Sequence, residues 1–225
     1  MNYLAIETSG DVCSVALEHD GAVVHRQTDE PRAHAASVAP FIQELLSGAG
    51  IRPDAVVVVA GPGSYTGLRI GVSSAKGLCT ALDIPLYAVS SLLTAAEASE
   101  CDRGQTVVIE RARRGELYVG APGRAPDTAI TDEEFPEWLA ALDRSSGRED
   151  VFLSRDPDRL GPDIPVRDSV IRVAPTALHA LSVVHDAPET YLVGDRDTFE
   201  PYYLKAFVAR AASGSVFDRL PFGGS

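Results

Sequence analysis

The sequence predicts an α/β protein. Three observations carry that expectation: an opening run of alternating strands, a helix–strand alternation behind it, and a glycine-rich loop where a buried strand gives way to a long helix. Tyr3 to Ile6 and Val12 to Glu18 alternate like strands around the turn Thr8-Ser9-Gly10-Asp11. Ala22 to Gln27 repeats the pattern after Asp20-Gly21, a hairpin-turn dipeptide. A helix is predicted over Ala33 to Ser47, because Val38, Phe41, Ile42, Leu45 and Leu46 follow helical spacing. Gly48 and Gly50 are suited to stop it, and Pro40 inside it implies a kink or a late start. Val56 to Val59, within the run Ala55 to Ala60, reads as a strand buried on both faces. A second helix over 66–82 follows the loop, then a strand over Pro85 to Val89 and a third helix over Leu92 to Ser99.

A second unit is expected from about Gly104, which divides the chain into 1–103 and 104–225. Thr106 to Ile109 and Leu117 to Gly120 read as strands around a basic loop, Arg111 to Gly115, that carries Arg113 and Arg114. Glu133 to Leu142 reads as a short helix, Val151 to Ser154 and Tyr191 to Gly194 as strands, and Pro175 to Val184 as a helix with proline near its start. Residues 121 to 130 and 155 to 169, rich in Pro, Asp and Gly, read as loops. The tail Ala212 to Ser225 is expected to be poorly ordered.

Composition narrows the function. The chain has 225 residues and a formal net charge of −12, a poor balance for gripping a phosphate backbone unaided. The absence of a long apolar run argues against a membrane span, and the direct entry into a strand argues against a signal peptide. Cys13, Cys79 and Cys101 are scattered, and the first two sit in apolar stretches, which suits buried thiols in a cytoplasmic protein. The five histidines (19, 25, 34, 179 and 185) show no metal-binding spacing, and no Gly-x-Ser-x-Gly elbow is present. His34 suits a capping or interface role.

Two stretches invite a functional reading. Glu7-Thr8-Ser9-Gly10 ends the first strand with an acidic residue and a small polar turn, in outline the phosphate turn of actin- and hexokinase-like ATPases. Such enzymes need a second, Asp-x-Gly-Gly hairpin, and Ile109 to Gly115 has no Gly-Gly pair. Gly61-Pro62-Gly63-Ser64 suits either a phosphate cradle or a tight turn, with Ser64 capping the second helix. Along that helix Gly67, Gly71, Ala75 and Cys79 recur every four residues. The stripe allows close packing, either on the chain's own sheet or on another chain.

These residues resemble the bacterial TsaB (YeaZ) family. The resemblance rests on Leu4-Ala5-Ile6-Glu7-Thr8-Ser9, Cys13-Ser14-Val15-Ala16-Leu17, Arg32-x-His34, Gly61 to Gly71, Ala75-Lys76-Gly77-Leu78, Val89-Ser90-Ser91-Leu92 and Ala112 to Tyr118. It is dense to about residue 118 and thin beyond, where Pro201-Tyr202-Tyr203-Leu204-Lys205 is similar to a Pro-x-Tyr-x-Arg motif. It implies a two-lobed actin-like ATPase (ribonuclease H-like) fold without working catalysis, once labelled glycoprotease-like. It also implies pairing with TsaD, the metal-containing enzyme that transfers threonylcarbamoyl to N6 of adenosine 37 in tRNAs reading ANN codons. The resemblance further implies TsaE as an additional partner, a homodimer when the chain is alone, and tRNA met only indirectly. No cofactor or metal is implied: TsaD's His-x-x-x-His pair corresponds here to Ser91 and Ala95. The family pairs through first-lobe helices, which assigns Arg32, His34, Val38, Phe41, Ile42, Leu45, Gly67, Gly71, Ser74, Ala75 and Leu78 to the interface. Leucine at Gly71 or Ala75 is then expected to block pairing and leave the monomer folded. Glu7, Thr8, Ser9, Gly61, Gly63 and Ser64 become a vestigial phosphate turn. Arg111, where Asp is common, and Lys205, where Arg is usual, depart from the family pattern. The alternative is an active nucleotide-binding enzyme of the same superfamily; a peptidase would need a metal or nucleophile that the sequence does not show.

Overall fold

The computed structural model describes residues 1–30, 33–145 and 147–204. The expectations placed on Arg32, Lys205 and the tail lie outside the described residues. Strands β1 (Tyr3–Glu7), β2 (Cys13–His19), β3 (Ala22–Thr28), β4 (Ala55–Gly61) and β5 (Leu86–Ser90) form a sheet in the order β3-β2-β1-β4-β5. The first three pair antiparallel, whereas β4 joins β1, and β5 joins β4, in parallel. The parallel pairs need crossovers, supplied by α1 (His34–Ala49) and α2 (Tyr65–Leu82). Every residue of β4 is buried, as its unbroken Val56–Val59 run implies. Helix α1 runs continuously from His34 through Pro40, whose ring sits on the exposed side.

Helix α3 (Ser91–Glu97) leads into a second sheet of β6 (Thr106–Arg113), β7 (Glu116–Ala121), β8 (Ala125–Thr131), β9 (Val151–Ser154) and β10 (Ile171–Arg172), ordered β10-β9-β6-β7-β8. Helix α4 (Phe135–Ala140) packs Phe135 into its core beside Ile109, Leu117 and Val119. Three sequence expectations are corrected here. Arg111 to Arg113 belong to β6, paired with β7, so the basic loop shrinks to the turn Arg114-Gly115, where Gly115 has φ +76°. Residues 125–131 are not a loop but an edge strand, which tolerates Pro126 because its outer side needs no ladder bond. Tyr191 to Gly194 makes a single bridge, Leu192 to Tyr87, instead of a strand.

The chain then returns. Helix α5 (Ala177–Asp186), followed by α6 (Pro188–Tyr191), packs on the face of the first sheet opposite α1 and α2. Ala177, Ala180, Leu181 and Val184 meet Tyr3, Ala5, Val57 and Val59 there. Further on, Lys76 Nζ donates to the carbonyls of Asp197 (3.0 Å) and Phe199 (2.9 Å), and the Tyr202 amide donates to Ala60 O at 2.8 Å. Residues 177–203 are thereby fastened to the first sheet.

Candidate functional site

Strand β1 ends at the buried Glu7, beneath a cleft between the two sheets whose near side is formed by Ser9 and Gly10, and β4 delivers the loop Gly61–Ser64 beside it. The two loops interlock through backbone. Ser64 N donates to Ser9 O at 2.8 Å, and Thr8 Oγ1 donates to Gly67 O at 2.8 Å. A Cβ on Gly63 would overlap the Ser9 carbonyl oxygen, and one on Gly67 the Thr8 carbonyl oxygen. Gly61 has φ +121°, a conformation that favours glycine. Ser64 caps α2, accepting from Gly67 N at 3.3 Å, and Ser91 Oγ donates to Pro62 O.

The turn spends its donors on its own carboxylate. Ser9 N (2.7 Å) and Ser9 Oγ (2.6 Å) both donate to Glu7 Oε1, and the Gly10 backbone also contacts this carboxylate. Glu7 is buried, and its Oε2 has no partner among the described residues. Burial pushes the Glu7 carboxyl above its ordinary value of 4.5, against the opposing pull of the Ser9 donors and Arg155. Below that value both folded and unfolded chains hold the proton. As pH rises past it, the unfolded chain ionises first, so stability falls until pH passes the raised folded value. Glu7→Gln cannot ionise. Its melting temperature relative to wild type should therefore climb as pH is raised from 4.5 towards neutrality. A difference independent of pH would contradict the assignment.

Arg155, just after β9, closes the network from the other sheet. Its Nη1 donates to Ser9 Oγ at 3.0 Å, while its backbone N (2.8 Å) and Nε (3.1 Å) donate to Glu110 Oε1. Burial works against the guanidinium charge, but the carboxylates of Glu110 and Glu7 outweigh it and hold the pKa above the ordinary arginine value. Arg155 was not legible as functional: it lies in a stretch read as loop, and no motif marks it. Above this floor the cleft has a volume of about 740 Å³ and is lined by Ser64, Tyr65, Arg113, Arg159 and Tyr203 among others. Arg113 lies on the cleft wall, and Arg114 is exposed at the adjacent turn. At the end of β5, Ser90 Oγ donates to Asp127 Oδ2 of β8, and burial raises the Asp127 pKa. Burial also pushes the Cys13 and Cys79 thiols up to about 11, which suits packing and not nucleophilic attack.

The helices expected to form the interface face two ways. Gly67, Gly71, Ala75 and Cys79 are buried, and a Cβ on Gly71 would overlap the Thr8 hydroxyl. Val38, Ile42 and Leu45 are likewise buried in the core beneath α1. The four-residue stripe is therefore the seat of α2 on its own sheet and turn, which corrects the expectation that leucine at 71 or 75 leaves the monomer folded. His34, Phe41, Ser74 and Leu78 stay half-exposed, and His34 Nε2 lies 2.9 Å from Gly10 O. The outer side of α2 presents Tyr65, Thr66, Arg69, Ile70 and Ser73 around a shallow hollow.

A family model described as "TsaD: tRNA N6-adenosine threonylcarbamoyltransferase" matches residues 23–137. The Escherichia coli (strain K12) "tRNA threonylcarbamoyladenosine biosynthesis protein TsaB" is 38% identical over 123 residues, 52% of this chain and 53% of that protein. The Bacillus subtilis (strain 168) protein of the same description is 35% identical over 165 residues, 69% of this chain and 72% of that protein. The match thus spans about half of the E. coli relative's length and over two thirds of the B. subtilis one. Among solved structures, YeaZ from Pseudomonas aeruginosa superposes with a TM-score of 0.67 at 27% identity, covering 90% of this chain and 99% of that one. A second structure, described as an uncharacterized P. aeruginosa protein with similarity to peptidase YEAZ, gives a TM-score of 0.71 at 26% identity, covering 91% and 99%. Two five-stranded mixed sheets flanked by helices, the interlocked Glu7 and Gly61 turns, and these matches have one reading: the chain has the actin-like, ribonuclease H-like fold and belongs to the TsaB (YeaZ) family.

Proposed function

We propose that this chain serves tRNA threonylcarbamoyladenosine formation as a non-catalytic partner of TsaD. The transferred group goes to N6 of adenosine 37 in ANN-decoding tRNAs, TsaE joins the assembly, and the isolated chain pairs with itself in the cytoplasm. The observation that carries the non-catalytic reading is the Glu7 turn. The amides and hydroxyl that would face a phosphate are engaged by Glu7, and Arg155 fastens the same turn to the opposite sheet. The division into lobes 1–103 and 104–225 belongs to this proposal, with residues 177–203 docked on the first lobe.

Pairing is assigned to the first-lobe helices, and burial restricts it to their outer sides: His34, Phe41, Ser74 and Leu78, joined by Ile70 and Ser73. Ser73 is exposed, so Ser73→Arg should leave the melting temperature within about 1–2 °C of wild type. It should abolish co-elution with the cognate TsaD on size-exclusion chromatography. Unchanged co-elution removes this face from the interface. The cleft itself favours a second reading, a nucleotide-binding enzyme, and its volume of about 740 Å³ is the reason. Titration calorimetry with ATP and Mg²⁺ tests the second reading, since the enzyme reading requires clear binding by the isolated chain and the partner reading does not.

A further inference from the structure

We propose that the cleft mouth docks one nucleotide unit of a single-stranded RNA loop, its base on the Tyr65–Tyr203 pair and its phosphate at Arg113 and Arg159. The proposal rests on the reading above that tRNA is the substrate of the assembly, and gives this chain a direct contact with it. Tyr65 and Tyr203 are 42% and 38% exposed, large aromatic surfaces left in water at the rim of a cavity. Their ring centres are 5.4 Å apart with planes tilted by 33°, and the Arg69 guanidinium lies 5.3 Å from the Tyr65 ring centre. Aromatic faces beside arginines are the usual platform for an unstacked base.

Charge points the same way. Arg113 and Arg159 are exposed on the cleft wall and form no ion pair among the described residues. The acids there are partly committed: Glu110 accepts from Arg155, and Asp156 pairs with Arg172 at 3.2 Å. Asp11 and Glu116 also line the cleft, so a run of several phosphates or a duplex is disfavoured, and a single splayed nucleotide is the class that fits. The net charge of −12 is spread over the whole chain, and beyond a screening length of about 8 Å it acts weakly on the cleft.

The test is fluorescence anisotropy of the full chain with a labelled anticodon stem-loop RNA bearing an ANN anticodon, at low and rising salt. Wild type should bind weakly and lose affinity with salt. Arg113→Ala/Arg159→Ala should weaken binding about tenfold or more and reduce the salt slope by about 0.7, the share of one single-strand phosphate. Tyr65→Ala should weaken it about tenfold with the slope unchanged. Unlabelled ATP, which offers one base and phosphate without the rest of the loop, should displace the RNA only in large excess. No binding by wild type, equal binding by all variants, or displacement by ATP at matched concentration each overturns the proposal, the last by assigning the cleft to a free nucleotide. The arginine double variant should still co-elute with TsaD. Lost RNA with retained co-elution, or the converse, distinguishes failure of this site from failure of the partner role.

Discussion

Gly67→Ala is expected to lower the melting temperature by about 6–12 °C, because overpacking of about 3 kcal/mol converts at 2–4 °C per kcal/mol in a chain of this size. The new Cβ would overlap the carbonyl oxygen of Thr8, which belongs to backbone and cannot rotate away. Thr8 is held from two sides, since its hydroxyl already donates to Gly67 O at 2.8 Å and its turn accepts Ser64 N through Ser9. Relief would require lifting α2 from β1 and β4, beneath which Val72, Ala75 and Cys79 are buried. Gly77 on the same helix is the control. It is exposed with nothing within 4 Å of its added Cβ, so Gly77→Ala should stabilise by about 0.5–1 kcal/mol through helix propensity alone. Thermal denaturation of both variants decides the matter. If Gly67→Ala melts with wild type, the close seat of α2 on the turn is wrong.

The second large effect concerns Arg155. Arg155→Leu strands Glu110 in a site where its side chain is 8% exposed, and it removes the donor to Ser9 Oγ. Breaking a largely buried pair in this way costs about 3 kcal/mol. The double variant Arg155→Leu/Glu110→Leu should recover much of that loss, because replacing both charges by apolar groups leaves no unpaired carboxylate. A double-mutant cycle by urea denaturation measures the coupling, and additive single effects would contradict the network. Arg155 lies beyond β9 and Ser9 beyond β1, so the pair also ties one sheet to the other across the cleft floor.

Much of the first lobe was legible because its signals are local. The Val56–Val59 run, the Asp20-Gly21 turn and the apolar spacing of α1 each report a single element. The Gly67-Gly71-Ala75-Cys79 stripe was equally visible, but spacing gives only closeness of approach and leaves the identity of the neighbour open. The neighbour turned out to be Thr8, some sixty residues away, so the inward side was taken for the interface. The edge strand Ala125–Thr131 escaped notice because its Pro126 and half-buried Asp127 and Thr128 carry no alternation. Arg155 was invisible for a different reason: its role depends on a contact 146 residues distant in sequence. The return of α5 to the first sheet is likewise a tertiary event, settled by the fit of Ala177, Ala180 and Val184 onto strands whose other face is already covered.

The most direct test of the partner role is threonylcarbamoylation of an ANN-decoding tRNA by the cognate TsaD and the remaining components, with and without this chain. The prediction is that modified adenosine accumulates only when the chain is present, that Ser73→Arg abolishes the stimulation in step with co-elution, and that Glu7→Gln does not. Product formed at the same rate without the chain would contradict the account.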